Sequence, residues 1–182
     1  MLVVVVGPSG AGKDTLMERA RAALSGAPGF RFVRREITRP QGAGGEDHIA
    51  VTAEEFAARR AAGAYALAWQ AHGLGYGIPA DVAGDIARRV VVANVSRAAI
   101  AEAVAKFPTM VLEITAPAAV LAARLAARGR ETEADIAARL ARAVALPEGV
   151  AVVRVMNDRT PEEGAAAVVA ALTRAAQSAG RW

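Results

Sequence analysis

Met1-Leu-Val-Val-Val-Val6 followed by Gly7-Pro-Ser-Gly-Ala-Gly-Lys13 decides the fold of this chain. The first segment is a short, uninterrupted, β-branched run, which is typical of a strand buried on both faces. Glycines follow at once, and residues 15–24 have the composition of a helix. A strand, a glycine-rich turn and a helix in this order predict the opening unit of an α/β nucleotide-binding fold.

The glycine-rich turn fits the pattern G-x-x-x-x-G-K. Glycines allow the backbone to curl until successive N–H groups converge on one phosphate, and the following helix presents its positive dipole end to the same anion. Lys13 adds a mobile charge for the β- and γ-phosphates of ATP. A turn without a ligand would need fewer glycines and no lysine. The predicted ATP-binding residues are Gly7, Pro8, Ser9, Gly10, Ala11, Gly12, Lys13, Asp14 and Thr15.

Asp14 departs from this pattern, because the residue after the lysine should be a serine or threonine whose hydroxyl binds Mg²⁺. A carboxylate about 4 Å from a phosphate oxygen would be repelled by roughly 1–4 kcal/mol, unless a cation lies between them. Two alternatives follow: Asp14 contacts Mg²⁺ directly or through water, or it points away as an ordinary acidic residue of a first helical turn. Thr15 is the alternative hydroxyl ligand.

The composition limits the classes of ligand. The chain has 182 residues, 54% hydrophobic and 22% charged, which predicts one compact domain with its own core. The net charge is +4, but the basic residues are scattered and only 4% of residues are aromatic. We therefore expect a small anionic ligand rather than nucleic acid or a membrane surface. No cysteine is present and no apolar run reaches about 18 residues, so we expect a cytoplasmic enzyme.

The remaining pattern alternates between strands and helices, which predicts a mostly parallel sheet covered on both faces. The predicted strands are 1–6, 30–37, 48–51, 65–70, 90–95, 110–114 and 150–155. The predicted helices are 15–24, 53–62 behind a Thr52–Glu55 capping box, one from Pro79, 97–106, 118–127, 133–146 behind Thr132, and one from Pro161. Gly73, Gly75 and Gly77 are interpreted as a loop.

These elements predict a single domain over residues 1–182. Its core comprises residues 1–29, 90–120 and 148–182. Residues 30–80, with shorter strands and more glycine, are interpreted as an inserted α+β lobe that binds the acceptor. Residues 124–146 are interpreted as a helical lid.

Several blocks in order resemble the nucleoside monophosphate kinase branch of P-loop proteins, and within it guanylate kinase. They are the P-loop, Thr38-Arg39, Glu46, Tyr76-Gly77, residues 124–140 and Asn157-Asp158. The resemblance implies a P-loop kinase fold with an inserted acceptor lobe and a lid. It also implies that lid arginines close over the phosphates, Arg128 and Arg139 foremost and Arg124 and Arg130 in addition. Asn157 would then lie near the adenine. For Arg139 the alternative is a helix-surface ion pair with Asp135.

The same resemblance assigns acceptor-binding roles within the lobe. Arg35 and Arg39 would bind the acceptor phosphate; a solvated strand end is the alternative reading of both. His48 and His72 would donate to phosphate or hydroxyl groups, or else be structural. Tyr76 would hydrogen-bond the acceptor phosphate, or be a half-buried aromatic residue. Thr38 and Glu46 complete the predicted acceptor-binding set.

The residues that read guanine do not fit. Residues 41–45 contain no arginine where a second acceptor-phosphate arginine is expected, and Ala68 stands in place of the glutamate that reads the base. Ile78 replaces a hydroxyl, and the acidic pair after the next strand reads Asn94 and Ser96. Unmatched base N–H groups would cost about 1–3 kcal/mol each, enough to lose the substrate.

The residues that depart from guanylate kinase resemble those of another family. The blocks Gly7–Thr15, Ile37-Thr-Arg-Pro40, Gly45-Glu-Asp-His48 and residues 69–79 resemble the ribose 1,5-bisphosphate phosphokinases of phosphonate breakdown. The resemblance implies ATP and Mg²⁺ as cofactors and a sugar bisphosphate as acceptor, converted to 5-phosphoribosyl 1-diphosphate (PRPP). The alternatives are a guanylate or other nucleoside monophosphate kinase, a kinase for another sugar phosphate, and a non-catalytic module that binds protein partners. The oligomeric state stays open, a homodimer included.

Overall fold

The computed structural model describes residues 1–42, 46–127 and 146–180. Its strands are β1 (Leu2–Val6), β2 (Phe30–Phe32), β3 (Glu36–Ile37), β4 (Ile49–Ala50), β5 (Tyr65–Ala71), β6 (Leu74–Pro79), β7 (Val90–Asn94), β8 (Thr109–Thr115) and β9 (Ala151–Met156). Its helices are α1 (Lys13–Ala23), α2 (Ala53–Ala61), α3 (Val82–Ile86), α4 (Ile100–Lys106), α5 (Ala118–Ala127) and α6 (Pro161–Ala179). These elements confirm the predicted α/β class.

The core is a five-stranded sheet in the order β2-β7-β1-β8-β9, and every neighbouring pair is parallel. All five β1 residues are buried, because helices cover both faces of the sheet. Val3 and Val5 pack on the side of α1, α5 and α6, whereas Val4 and Val6 pack on the side of α3 and α4. Parallel pairing brings the carboxyl ends of β1, β7 and β8 to one edge, where the P-loop begins.

The inserted lobe is a four-stranded sheet in the order β4-β3-β6-β5. β3 pairs in parallel with β4, while β3–β6 and β5–β6 are antiparallel. The buried carboxylate of Glu36 ties the lobe together, since it accepts hydrogen bonds from the Tyr65 hydroxyl and from Arg59, both at 2.6 Å. Burial and the bond to Glu36 raise the pKa of Tyr65. Hydrogen bonds from α2 and β5 to Glu36 of β3 therefore stabilise the lobe from within.

The structure corrects two local predictions. Residues 30–37 do not form one strand: β2 pairs with β7 in the core sheet, whereas β3 pairs with β4 and β6 in the lobe. The chain thus passes from one sheet to the other within eight residues, which the residue pattern alone cannot show. It also places Phe30–Phe32, which the predicted boundary gave to the lobe, in the core sheet.

The loop predicted around Gly75 and Gly77 is wrong as well, because both glycines lie inside β6. A Cβ atom at Gly75 would come within 2.8 Å of the Phe56 ring, and one at Gly77 within 2.4 Å of the Tyr65 ring. These glycines make room for aromatic side chains rather than for a turn. Pro79 accordingly ends β6, and the next helix begins at Val82.

Other elements agree with prediction. The Thr52–Glu55 capping box is present at α2, and Pro161 begins α6. The predicted helix 97–106 begins as a 3₁₀ turn, Arg97–Ala99, before α4. The helix predicted at 133–146 lies outside the described residues, except for its last position. None of the described helices is both long and apolar enough to cross a membrane.

Candidate active site at the carboxyl ends of the parallel strands

The P-loop has the curled, glycine-dependent backbone that its sequence predicts. Gly7, Gly10 and Gly12 all have positive φ, and Gly12 is the N-cap of α1. No side chain caps this helix, so the N–H groups of its first turn are left for a ligand. An anion such as a nucleotide phosphate suits this position, because the helix dipole also favours negative charge there.

Two of these glycines also allow very close packing. A Cβ atom at Gly7 would lie 1.9 Å from the backbone oxygen of Ile114 on β8, and one at Gly12 would lie 2.5 Å from Nδ2 of Asn157. Asn157 is buried and donates from Nδ2 to the Ala11 oxygen at 2.7 Å. The described contact of Asn157 is thus with the P-loop backbone, and its predicted place near adenine stays a prediction.

Gly7→Ala should destabilise the fold strongly, since the new methyl group meets a backbone atom that cannot rotate away. The φ of 151° is also one that L side chains rarely adopt. We expect a loss of about 3 kcal/mol in the free energy of unfolding, measured in urea. The matched control is Gly26→Ala, because Gly26 has φ +80° but no neighbouring heavy atom within 4 Å of the added Cβ. It should lose only about 1 kcal/mol; equal losses would contradict the packing explanation.

The Lys13 ammonium is folded back onto the loop that it belongs to. Nζ donates to the backbone oxygens of Gly7 at 2.9 Å and Pro8 at 3.0 Å. Burial lowers the pKa of Lys13 from its ordinary value, and the charges of Arg35 and Arg97 lower it too, although Asp14 and Glu46 oppose them. Charges of both signs therefore act on this ammonium.

A chain of polar contacts joins the P-loop helix to the lobe. The buried Asn94, last residue of β7, donates from Nδ2 to Asp14 Oδ1 at 3.2 Å and to Glu46 Oε2 at 3.1 Å. The other oxygen of Glu46 accepts from Nη2 of Arg35. Asp14, which the sequence left with two alternatives, thus faces Asn94 and the lobe.

Arg35 lies over a pair of aromatic rings. Trp69 and Tyr76 stack with centroids 5.4 Å apart and an interplanar angle of 5°. The guanidinium carbon of Arg35 is 5.0 Å from the Tyr76 centroid and 5.8 Å from that of Trp69. Cation–π attraction and the Glu46 carboxylate together hold the side chain in one orientation. Its Nε is buried without a hydrogen-bond partner among the described residues, so the guanidinium keeps donor capacity.

His48 is only 3% exposed, and both of its ring nitrogens lie within hydrogen-bonding distance of other protein atoms. Nε2 lies 3.0 Å from the Arg39 oxygen and Nδ1 lies 3.0 Å from the Glu46 oxygen. Nη2 of Arg39 is 3.3 Å from Nδ1. His48 therefore fixes the two backbone segments that carry Arg39 and Glu46, and a direct contact with substrate stays a prediction.

Thr38 and His72 lie together but not at the P-loop. The Thr38 hydroxyl accepts from the Gly75 N–H at 2.8 Å. His72 is exposed at the tip of the β5–β6 hairpin, where it has φ 53° and Gly73 has φ 73°. With Phe56 of α2, these residues line a groove that contains no P-loop residue.

The remaining predicted residues are partly outside the described chain. Thr15 is exposed in the first turn of α1. Nη1 of Arg124 lies 3.4 Å from the Gly10 oxygen, so this arginine reaches the P-loop. Arg128, Arg130 and Arg139 lie outside the described residues, and their roles stay predictions.

Three residues near the site were absent from the predicted set: Asn94, Arg97 and Glu113. Asn94 ends β7, Arg97 lies shortly beyond it, and Glu113 lies near the carboxyl end of β8, and both strands neighbour β1. That signal was readable, because ligands bind outside the carboxyl ends of parallel strands. Within the described chain, no group of three or more His, Cys, Asp or Glu residues could hold a metal ion.

The sheet order and the P-loop define the class of fold first: a P-loop α/β fold of the guanylate-kinase-like type. A guanylate kinase from Anaplasma phagocytophilum superposes with a TM-score of 0.65 over 96% of this chain and 84% of its own, at 17% identity. At that identity the likeness shows the fold alone. No family model matches the chain.

Curated relatives then give the family. The ribose 1,5-bisphosphate phosphokinase PhnN of Acidiphilium cryptum is 55% identical over 174 residues, 95% of this chain and 92% of the relative. The enzyme of the same name from Agrobacterium fabrum is 48% identical, over 97% of this chain and 98% of the relative. The chain belongs to the ribose 1,5-bisphosphate phosphokinase family, and it is an enzyme, a kinase.

Proposed function

We propose that the chain transfers the γ-phosphoryl group of ATP to the 1-phosphate of ribose 1,5-bisphosphate, giving PRPP and ADP. The activity for which the relatives are named supports this proposal. The observation that carries it in the structure is the contact chain Arg35–Glu46–Asn94–Asp14, which joins the part of the lobe that holds Arg35 to the P-loop. A phosphorylated acceptor held by that lobe would face Lys13.

The lobe also suits an acceptor without a base. Ala68 pairs with Gly77 across β5 and β6, at the place where the resemblance to guanylate kinase expects a base-reading glutamate. Ile78 is fully buried, where that resemblance expects a hydroxyl. Apolar side chains at both places leave a base unmatched, while Arg35 and Arg39 keep cations for phosphate.

In the proposed reaction, an oxygen of the acceptor phosphate forms a bond to the γ-phosphorus as the bond from that phosphorus to the β-bridging oxygen breaks. The attacking oxygen is already ionised, so the chain need not supply a general base. Its residues instead position the two substrates and neutralise the charge on the phosphoryl group during transfer. The P-loop N–H groups and Lys13 bind the donor phosphates, Arg35 and Arg39 orient the acceptor, and Arg128 and Arg139 are proposed to close over the transferring group.

We propose Mg²⁺ as the metal, with ATP phosphate oxygens as its main ligands. Asp14 would bind it directly or through water, with the Thr15 hydroxyl as the alternative ligand. Magnesium would supply neutralisation of the phosphate charge. We further propose a cytoplasmic role in phosphonate breakdown and PRPP supply.

The test is a panel of acceptors incubated with ATP and Mg²⁺ and followed by phosphorus NMR. Ribose 1,5-bisphosphate should give a new diphosphate signal together with ADP. The control acceptors are GMP and ribose 5-phosphate, which should give none. Turnover of GMP without turnover of ribose 1,5-bisphosphate would overturn the proposal in favour of a nucleoside monophosphate kinase.

A further inference from the structure

Arg97 stands at the junction between the P-loop and the acceptor lobe. It begins the 3₁₀ turn that directly follows β7, and β7 pairs with β1, the strand that leads into the P-loop. The same turn packs against β5 of the lobe. Its side chain is 20% exposed. Arg97 therefore lies where the core sheet beside the P-loop meets the lobe.

Glu113 fixes the orientation of Arg97. Nη2 of Arg97 donates to Oε1 of Glu113 at 2.8 Å, and Nε of Arg154 donates to Oε2 at 2.8 Å. Glu113 is buried on β8 and lies in register with Val6, the residue before the P-loop. Burial raises the pKa of Glu113, but the bonds from Arg154 and Arg97 outweigh it and leave that pKa below its ordinary value. One carboxylate thus binds two guanidinium groups, so the three side chains together keep a net charge of +1.

Arg97 also keeps an unused donor. Its Nε is buried and has no hydrogen-bond partner within the described part of the chain. A buried donor without a partner is costly unless a ligand supplies the acceptor. Arg97 further lies near enough to Lys13 for its charge to be felt there. An anionic ligand near both side chains would be attracted by both positive charges.

We propose that Arg97 binds the acceptor phosphate that receives the γ-phosphoryl group, with Glu113 as its positioning residue. This inference rests on the proposed function and deepens it. The planar guanidinium offers two further N–H donors to phosphate oxygens while one stays on Glu113. Arg97 would hold the attacking oxygen near the P-loop from the core side, opposite Arg35 in the lobe.

Arg97→Gln is the test, and Arg154→Gln is its matched control, because both arginines bind the same carboxylate. Steady-state rates are measured with varied ribose 1,5-bisphosphate at saturating ATP, and then with varied ATP. We expect Arg97→Gln to lower kcat/KM for the acceptor about 100-fold, with KM for ATP changed less than about threefold. Arg154→Gln should change either value less than about threefold. Arg97→Lys should give a kcat/KM for the acceptor between those of wild type and Arg97→Gln, because a lysine ammonium keeps the charge but lacks the planar, bidentate geometry of a guanidinium.

Equal losses in Arg97→Gln and Arg154→Gln would overturn the inference, since neutralising Glu113 would then be the whole role of Arg97. A rise in KM for ATP alone would also overturn it. If circular dichroism shows that Arg97→Gln does not fold, Arg97→Lys decides, and an unchanged acceptor KM in that variant refutes the proposal. Wild-type protein that does not turn over ribose 1,5-bisphosphate would instead refute the proposed function.

Discussion

Lys13→Met is expected to lower kcat by about 10³-fold, the largest effect of any single side-chain change in this chain. The ammonium is the mobile charge of the P-loop, resting on the Gly7 and Pro8 oxygens. In the transfer step it would move from these carbonyl groups to the β- and γ-phosphate oxygens. Methionine keeps the length and apolar stem of lysine and removes the charge, so the loop geometry should survive. The measurement is ADP release in a coupled assay with ribose 1,5-bisphosphate.

The chain offers a matched control, because its sequence contains a single other lysine, Lys106. Lys106 ends α4 and donates to the Ala66 oxygen at 3.0 Å and to Glu102 at 2.6 Å. Lys106→Met removes the same charge from a place remote in sequence from the P-loop, and kcat should stay within about twofold. Undiminished turnover in Lys13→Met would contradict the P-loop assignment on which the proposed function depends.

Arg35→Gln is expected to lower kcat/KM for the acceptor about 100-fold while KM for ATP changes less than about threefold. The side chain is held by Glu46 and by the Trp69–Tyr76 pair, with its buried Nε still unpartnered in the described chain. That preorganisation gives it a fixed fork for a phosphate of the acceptor. Steady-state kinetics with each substrate varied in turn separate the two parameters.

Arg34→Gln is the control for Arg35→Gln. Arg34 is the preceding residue, is exposed, and pairs with Asp47 at 2.8 Å. Its loss should leave acceptor kcat/KM within about threefold, as for other surface ion pairs. Arg35→Gln also leaves Glu46 without its cation, so its thermal unfolding is measured in parallel. If Arg35→Gln were only less stable, with normal kinetics below its unfolding temperature, the acceptor-binding role would be refuted.

The P-loop half of the candidate site could be predicted from the sequence in more detail than the half around Arg35. The P-loop and the strand before it were predicted residue by residue, because each requirement is local: apolar side chains for a buried strand, glycines for positive φ, and a lysine at a fixed spacing. For the proposed acceptor site, the sequence named candidate residues whose binding roles stay predictions, and it did not give their arrangement. Arg35, Glu46 and Tyr76 were all named, yet the ring stack under Arg35 and the bridge through Asn94 were not.

Some residues of the predicted set have described contacts different from those that their sequence position suggested. For His48 the sequence left a substrate contact and a structural role open, and the described contacts of both ring nitrogens are with backbone oxygens. Gly75 and Gly77 were interpreted as a loop but accommodate Phe56 and Tyr65 inside a strand. The aromatic partners of these glycines belong to α2 and β5, and the local pattern around the glycines carries no information about them.

The sequence by itself determined the class of this protein: an α/β chain with a P-loop, and a family resemblance that its relatives confirm. These properties are set by neighbouring residues, through backbone conformation and periodic burial. The tertiary structure alone decided which charged and polar side chains come into contact. Arg35 and Glu46 are 11 residues apart and Asp14 and Asn94 are 80 apart, so only the parallel sheet and the lobe folded beside it bring them within hydrogen-bonding distance. Electrostatic interactions act through space at a few ångströms, and the order of residues along a chain does not specify that separation.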